Sequence, residues 1–370
     1  MLKKNRDDNT NSKTVVMLVT NGCNINCVYC YEHFKNPNYM PLDQMIEIAN
    51  AELEADNEFE RIGFNIMGGE PFLAFENIKK FTEYLCSREW SKEWYISLST
   101  NGTLVHDEIQ EYMLQYIDNL VISLSYDGTY DMQDKNRSNS ASEVDLDFFA
   151  KNFPYIKMTV SPLTLNTLAD GVIFLQRKGF LVSANLALGI DWDYESSAEI
   201  LSEQLEKLAN FYIENPEYRL CSILDMGIET INPLKKDLNS YCGAGNKLIC
   251  YDWDGLTYPC HMFSPLSMSL EKAKASNSLV FDGKIDRAML NEECKHCLAI
   301  QVCPSCEGMN FEARGNVYAN DRNYCRFIKI QVLANAAFRF RQYKLGQLDL
   351  TTDEEYRLLN NIKLLQQLAL

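Results

Sequence analysis

Three cysteines in the spacing C-x3-C-x2-C, Cys23, Cys27 and Cys30, stand directly behind the apolar run TVVMLVT. A loop that short brings three thiolates together. Three thiolates on a four-iron cluster leave one iron open to an outside ligand, which is what chemistry on a bound molecule requires. Zinc is the alternative, although structural zinc takes four closed ligands, mostly from paired C-x2-C units. His33 stands near enough along the chain to be weighed as a fourth ligand. Eight further cysteines gather toward the C-terminus: Cys242, Cys250 and Cys260, then Cys294-x2-Cys297-x5-Cys303-x2-Cys306, then Cys325. Eight thiolates suit two more four-iron clusters, with two zinc sites as the alternative. Cys86 and Cys221 stand apart and read as core or incidental residues.

The elements that must position these loops follow from the spacing of apolar residues. Residues 14–20, 61–67, 95–100, 120–125, 156–161 and 182–188 read as strands; 42–55, 75–86, 105–117, 168–178 and 197–213 read as amphipathic helices. Strands alternating with helices predict an α/β fold of parallel βαβ units, either an open sheet or part of a barrel. Chemistry in such folds sits at the C-terminal ends of the strands, and Cys23 lies at the end of the first. Residues 1–13 read as a flexible N-terminus and 14–239 as the α/β domain. Residues 240–325, irregular and cysteine-rich, read as a second domain in which clusters replace an apolar core. Residues 326–370 read as packing helices, with stripes through Phe327, Ile330 and Phe338 and through Tyr356, Leu359, Ile362 and Leu365.

Charge and composition narrow the partners. A net charge of −16 repels phosphate backbones and anionic lipid, which argues against nucleic-acid and membrane-surface partners. Acidic runs at 52–60 and 191–204 favour a basic substrate. No segment reaches the roughly 20 apolar residues of a membrane span, and the polar start lacks the apolar stretch of a signal peptide. A cytoplasmic protein is expected, and in that reducing compartment thirteen cysteines point to metal ligation rather than disulfides.

With the aromatic Tyr29 before its last cysteine, the first loop resembles the signature loop of the radical S-adenosylmethionine (SAM) superfamily. Gly68-Gly69-Glu70-Pro71 resembles that family's GGEP motif, which receives the SAM amino group, and Ser99-Thr100-Asn101-Gly102 resembles its TNG turn. Ser125, in Ser125-Tyr126-Asp127-Gly128, and Arg137 match the serine of S-x-D-G and the arginine that bind SAM in similar enzymes, the arginine forking onto the SAM carboxylate. The resemblance implies SAM contacts from Tyr29, Gly68, Gly69, Glu70, Asn101, Ser125 and Arg137. It also implies a partial (β/α)6 TIM-like barrel with its site at the strand ends. The implied reaction is one-electron cleavage of SAM, fed by a donor such as flavodoxin or ferredoxin, followed by hydrogen-atom abstraction by the 5′-deoxyadenosyl radical.

The later cysteines, with Gly255 five residues ahead of Cys260, resemble the SPASM domain of peptide-modifying and protein-modifying enzymes. That resemblance implies three [4Fe-4S] clusters in all. One auxiliary cluster would take Cys242, Cys250, Cys260 and Cys306, the other Cys294, Cys297, Cys303 and Cys325; the x2 spacing before Cys306 departs from the usual x3. It implies a maturase of ribosomally made peptides, forming crosslinks or epimerised residues. Anaerobic sulfatase-maturating enzymes, which form formylglycine, are the alternative. They carry an Asp, proposed as base, where His261 stands and a Gln where Met67 stands, which makes His261 the candidate base here. A non-enzymatic iron–sulfur electron carrier is a further alternative, but it has no use for GGEP or Arg137. A first strand near Thr14 leaves no room before it for the winged-helix leader-binding domain of some peptide maturases.

Overall fold

The computed structural model describes residues 11–232, 238–239, 242–281, 283–285 and 287–368. The first ten residues, most of the segment read as a flexible N-terminus, lie outside the described residues.

Strand β1 (Ser12–Thr20) buries Val15, Val16, Met17, Leu18 and Val19 completely. An unbroken apolar run is what a parallel strand covered on both faces requires. It begins two residues before the expected start, and Lys13 lies within it because its ammonium reaches both carboxylate oxygens of the buried Glu52, at 2.9 and 2.7 Å. Beside it run β2 (Arg61–Gly68), β3 (Glu93–Thr100) and β4 (Leu120–Ser125), all parallel, with Val15 opposite Phe64, Phe64 opposite Ile96 and Leu98 opposite Ile122. Helices α1 (Leu42–Leu53), α2 (Phe75–Cys86) and α3 (Asp107–Gln115) alternate with them.

The chain divides into two compact units. The first holds residues up to 125, 140–155 and 242–283. Its strand order is β4-β3-β2-β1, then β8 (Leu248–Tyr251) and β9 (Thr257–Tyr258), with α5 (Leu146–Asn152) and α8 (Leu270–Ser276) among its helices. Strand β8 pairs parallel to β1, Cys250 opposite Val16, and β9 folds back on β8. Strands of four and two residues are too short to show a period in sequence, and only their pairing reveals them.

The second unit holds residues 126–139, 156–241 and 284–370. It contains α4 (Tyr130–Asn136), most of β5 (Tyr155–Val160), α6 (Leu168–Arg177), β6 (Leu181–Leu186) and α7 (Tyr194–Glu214). Then come the short antiparallel pair β7 (Leu238–Asn239) and β10 (Lys284–Ile285), and α9 (Glu292–Lys295), α10 (Glu307–Arg314), α11 (Arg322–Lys344) and α12 (Thr352–Leu365). Ile228, Val302, Ile328, Val332, Leu358 and Leu365 belong to one core, and Cys297 and Cys303 pack against it. Phe327 of α11 sits under Trp192 and Tyr194, ring centroids 5.2 and 5.1 Å away. The buried stripe of α12 runs through Leu358, Ile362 and Leu365, whereas Tyr356, expected on it, is 71% exposed. Spacings of four and three keep 358, 362 and 365 on one face, and Tyr356 falls outside it.

Candidate active site

The thiol loop leaves the C-terminal end of β1 and closes on its own base. Asn21 N donates to Asn38 O at 3.1 Å, Asn36 N to Asn21 O at 3.2 Å and Met40 N to Val19 O at 2.9 Å. Cys23, Cys27 and Cys30, none of them in a disulfide, are half-buried on this loop. Lys35 lies beside two of them. Burial alone would lower its pKa, but the charges of Cys30 and Cys23, a hydrogen bond with Cys30 and the nearby Glu32 raise it instead. Glu32 is pushed up to about 7 by burial, against the pull of Lys35 and with a further push from Glu70. Sequence reasoning passed over both residues, because a charge in a polar loop ordinarily faces solvent. His33 is exposed.

Two further strand ends grip this loop. Gly69 N donates to Thr20 O at 3.1 Å and Glu70 N to Gly22 O at 2.9 Å. The approach is so close that a Cβ on Gly68 would lie 2.1 Å from Thr20 O, and one on Gly69 2.2 Å from Gly22 O. Glu70, 1% exposed, accepts from Phe72 N at 3.2 Å, Thr100 Oγ1 at 2.8 Å and Asn101 N at 2.8 Å, which joins the ends of β2 and β3 through one carboxylate. Asn101 then reaches the thiol loop itself, donating from Nδ2 to Asn24 Oδ1 at 2.9 Å, while Asn24 Nδ2 donates to Thr103 Oγ1 at 2.7 Å. Asn24 and Thr103 were not singled out from sequence; their signal is only adjacency to Cys23 and to the Asn101-Gly102 turn. Tyr29 is buried on the loop, and Ser125, half-buried, ends β4.

His261 lies with this loop. Its ring is 5.9 Å from that of Tyr31, and Phe34 N donates to Leu266 O at 3.1 Å. Cys260, directly before it, is buried together with Cys250; burial and the Cys260 charge push the Cys250 thiol well up. Cys242 is exposed.

In the second unit Arg137, 6% exposed, is clamped by Asp127: Nε lies 3.0 Å from Oδ2 and Nη2 donates to Oδ1 at 3.2 Å. Asp127 also accepts from Asn136 Nδ2 at 3.0 Å and Thr159 N at 2.8 Å. The same unit has a cavity of about 120 Å³ whose lining includes Cys294, Cys297, Cys303, Cys306 and Cys325. Burial, with the charges of Cys325, Cys297 and Cys294, pushes the Cys303 thiol up to about 12. Four of these thiols thus sense one another, and Cys306 lines the cavity with them.

Among the described residues no three His, Cys, Asp or Glu side chains converge as ligands of a single metal ion. A four-iron cluster takes each thiolate on a different iron, so its ligands ring a cube instead of meeting at one atom. Three thiols on one closed loop, and a cavity lined by Cys294, Cys297, Cys303 and Cys325, fit that donor pattern.

Residues 17–145, which contain the thiol loop and the ends of β1 to β4, match the Radical SAM superfamily. The chain carries a radical SAM domain. A cysteine-type anaerobic sulfatase-maturating enzyme of Clostridium perfringens is 28% identical over 142 residues, 36% of each chain. An uncharacterized protein of Methanocaldococcus jannaschii is 32% identical over 117 residues, 31% of this chain, and the match spans only 39% of that protein's length. The antilisterial bacteriocin subtilosin biosynthesis protein AlbA of Bacillus subtilis is 23% identical over 85% of this chain and 71% of its own. Among solved structures, native anSMEcpe with bound AdoMet and Kp18Cys peptide superposes with a TM-score of 0.68 at 20% identity, over 95% of this chain and 99% of that one. The chain therefore has the α/β fold of that structure, a partial barrel with a cysteine-rich C-terminal region. Among the described residues no helix is long and apolar enough to cross a membrane.

Proposed function

We propose that this protein is a radical SAM maturase of a ribosomally made peptide. The observation that carries it is the closed loop of Cys23, Cys27 and Cys30, locked to the Gly68–Glu70 turn and to Asn101 inside a matched radical SAM domain. When bound, a four-iron cluster on these thiolates supplies the electron that cleaves SAM and so enables hydrogen-atom abstraction from the peptide. Glu70, its carboxylate held by Thr100 and Asn101, presents a fixed negative charge to the SAM amino group. Arg137, oriented by Asp127, forks onto the SAM carboxylate, with Ser125 and Tyr29 completing the contacts. His261, beside Tyr31, serves as base toward the substrate. Two auxiliary four-iron clusters occupy the SPASM-like residues 240–325, and a flavodoxin-like or ferredoxin-like donor reduces the protein in the cytoplasm. The peptide assignment draws on relatives: one solved neighbour holds both AdoMet and a peptide, and AlbA, matched over 85% of this chain, serves subtilosin biosynthesis.

The TM-score of 0.68 with anSMEcpe favours a second reading, formylglycine formation in a protein substrate. Anaerobic dithionite reduction with SAM is expected to release 5′-deoxyadenosine, and Cys27→Ala to release none. Absence of the nucleoside from the unaltered protein would leave only an electron carrier. Mass spectrometry of the peptide encoded beside the gene then separates the chemistries: loss of two hydrogens marks a crosslink, an unchanged mass in H2O with deuterium gained in D2O marks epimerisation, and an unaltered peptide alongside formylglycine in a sulfatase fragment marks the second reading.

A further inference from the structure

We propose that Asn320 raises the reduction potential of the cluster held by Cys294, Cys297, Cys303 and Cys325, by donating an amide N–H to the Cys294 sulfur in a direction set by Arg314 and Asn310. This rests on those four thiols being cluster ligands. Asn320 Nδ2 lies 3.5 Å from Cys294 Sγ, and Arg314, Asn310, Ser305 and Asn320 all line the five-thiol cavity. An asparagine amide is ambiguous until its neighbours fix which end donates, and here a donor-only residue fixes it. Arg314 Nη2 donates to Asn310 Oδ1 at 2.8 Å, and a guanidinium has no acceptor, so the oxygen of Asn310 must face it. The amino group of Asn310, a residue 4% exposed, therefore points the other way, to Asn320 Oδ1 at 2.9 Å and Val317 O at 2.9 Å. Ser305 Oγ donates to the same Asn320 oxygen at 2.5 Å. With its oxygen taken by two donors, Asn320 has only its N–H groups to offer the sulfur. Asn291 Nδ2 holds the Asn320 backbone carbonyl at 3.0 Å.

Reducing a cluster adds negative charge that spreads onto its sulfurs. A donor aimed at one of them stabilises the reduced form more than the oxidised form and so raises the potential. Partial burial of the pair strengthens the effect, since water competes less there than at an open surface.

The test is an EPR-monitored redox titration of the full-length, anaerobically reconstituted protein. Asn320→Leu should keep its iron and move the midpoint of one cluster to more negative potential, leaving the others in place. Asn320→Asp, which loses the donor and adds a charge, should move it further. Asn310→Asp should also lower it, by turning the amino group of Asn320 away from the sulfur. An unchanged midpoint in Asn320→Leu with full iron content would overturn the role assigned to Asn320, as would loss of that cluster's iron in every Asn320 variant, which would make the residue structural. If replacing Cys294, Cys297 and Cys303 together with Ala retains the iron content of the unaltered protein, no cluster sits on these thiols, and the underlying assignment falls along with the inference.

Discussion

At the scale of single residues the sharpest feature is a buried ion pair. Asp127 is fully buried and spends its carboxylate on Arg137, Asn136 and Thr159. Removing one partner of such a pair leaves an uncompensated charge and costs about 3–5 kcal/mol. Asp127→Asn is therefore expected to lower the unfolding midpoint. It should also weaken SAM binding measured by calorimetry far more than binding of a SAM analogue lacking the carboxylate. Equal losses for the two ligands would show that Arg137 does not meet the carboxylate. The sequence displays both residues of the pair in Ser125-Tyr126-Asp127-Gly128 and in Arg137, but nothing in a ten-residue separation says that one clamps the other.

At the scale of elements the ends of β1, β2 and β3 behave as one piece. The glycines at 68 and 69 are there because two backbones pass within contact distance, and a side chain at either position meets a carbonyl oxygen at close to 2 Å. Gly69→Ala must displace the strand-to-loop junction that carries Cys23, at a cost of roughly 1–3 kcal/mol for overpacking. The reconstituted variant should bind about four irons fewer than the unaltered protein, since one four-iron cluster is lost, while the clusters of the C-terminal region stay filled. Full iron binding and undiminished SAM cleavage in Gly69→Ala would remove the junction from the site. α12 makes a comparable connection in the second unit, where Asn361 Nδ2 donates to Ile228 O at 3.0 Å and Ile231 O at 2.9 Å. Asn361→Leu leaves those buried carbonyls unsatisfied, at about 1–3 kcal/mol, and a lower midpoint of chemical denaturation would report it.

At the scale of the whole molecule, eleven clustered thiols supply three plus eight ligands, so reconstitution should give about twelve irons per chain with zinc as a minor species. Metal analysis yielding near-stoichiometric zinc and about four irons would remove the auxiliary clusters. The charge of −16 should hasten encounter with a basic peptide. Peptide affinity followed by fluorescence anisotropy is then expected to fall as salt shortens the Debye length below roughly 8 Å. Flat binding across that range would place recognition in apolar contacts.

Strands β1 to β6 and helices α1, α2, α3, α6 and α7 were determined by the sequence alone to within a few residues at each end. Period and continuity of apolar residues depend only on which face of an element is buried. The cysteine spacings likewise point to iron–sulfur ligation in the sequence itself, because thiolate is the ligand whatever the surrounding fold. Only the tertiary structure decided what holds the site together: Asn24 bound to Asn101, Glu70 bridging two strand ends, Tyr31 against His261, and β8 added to β1. It also put Cys306 in the lining of the cavity formed around Cys294, Cys297, Cys303 and Cys325. Each of these is a contact between residues far apart in the chain, or a strand too short to show a period, and such contacts exist only once the intervening elements have packed.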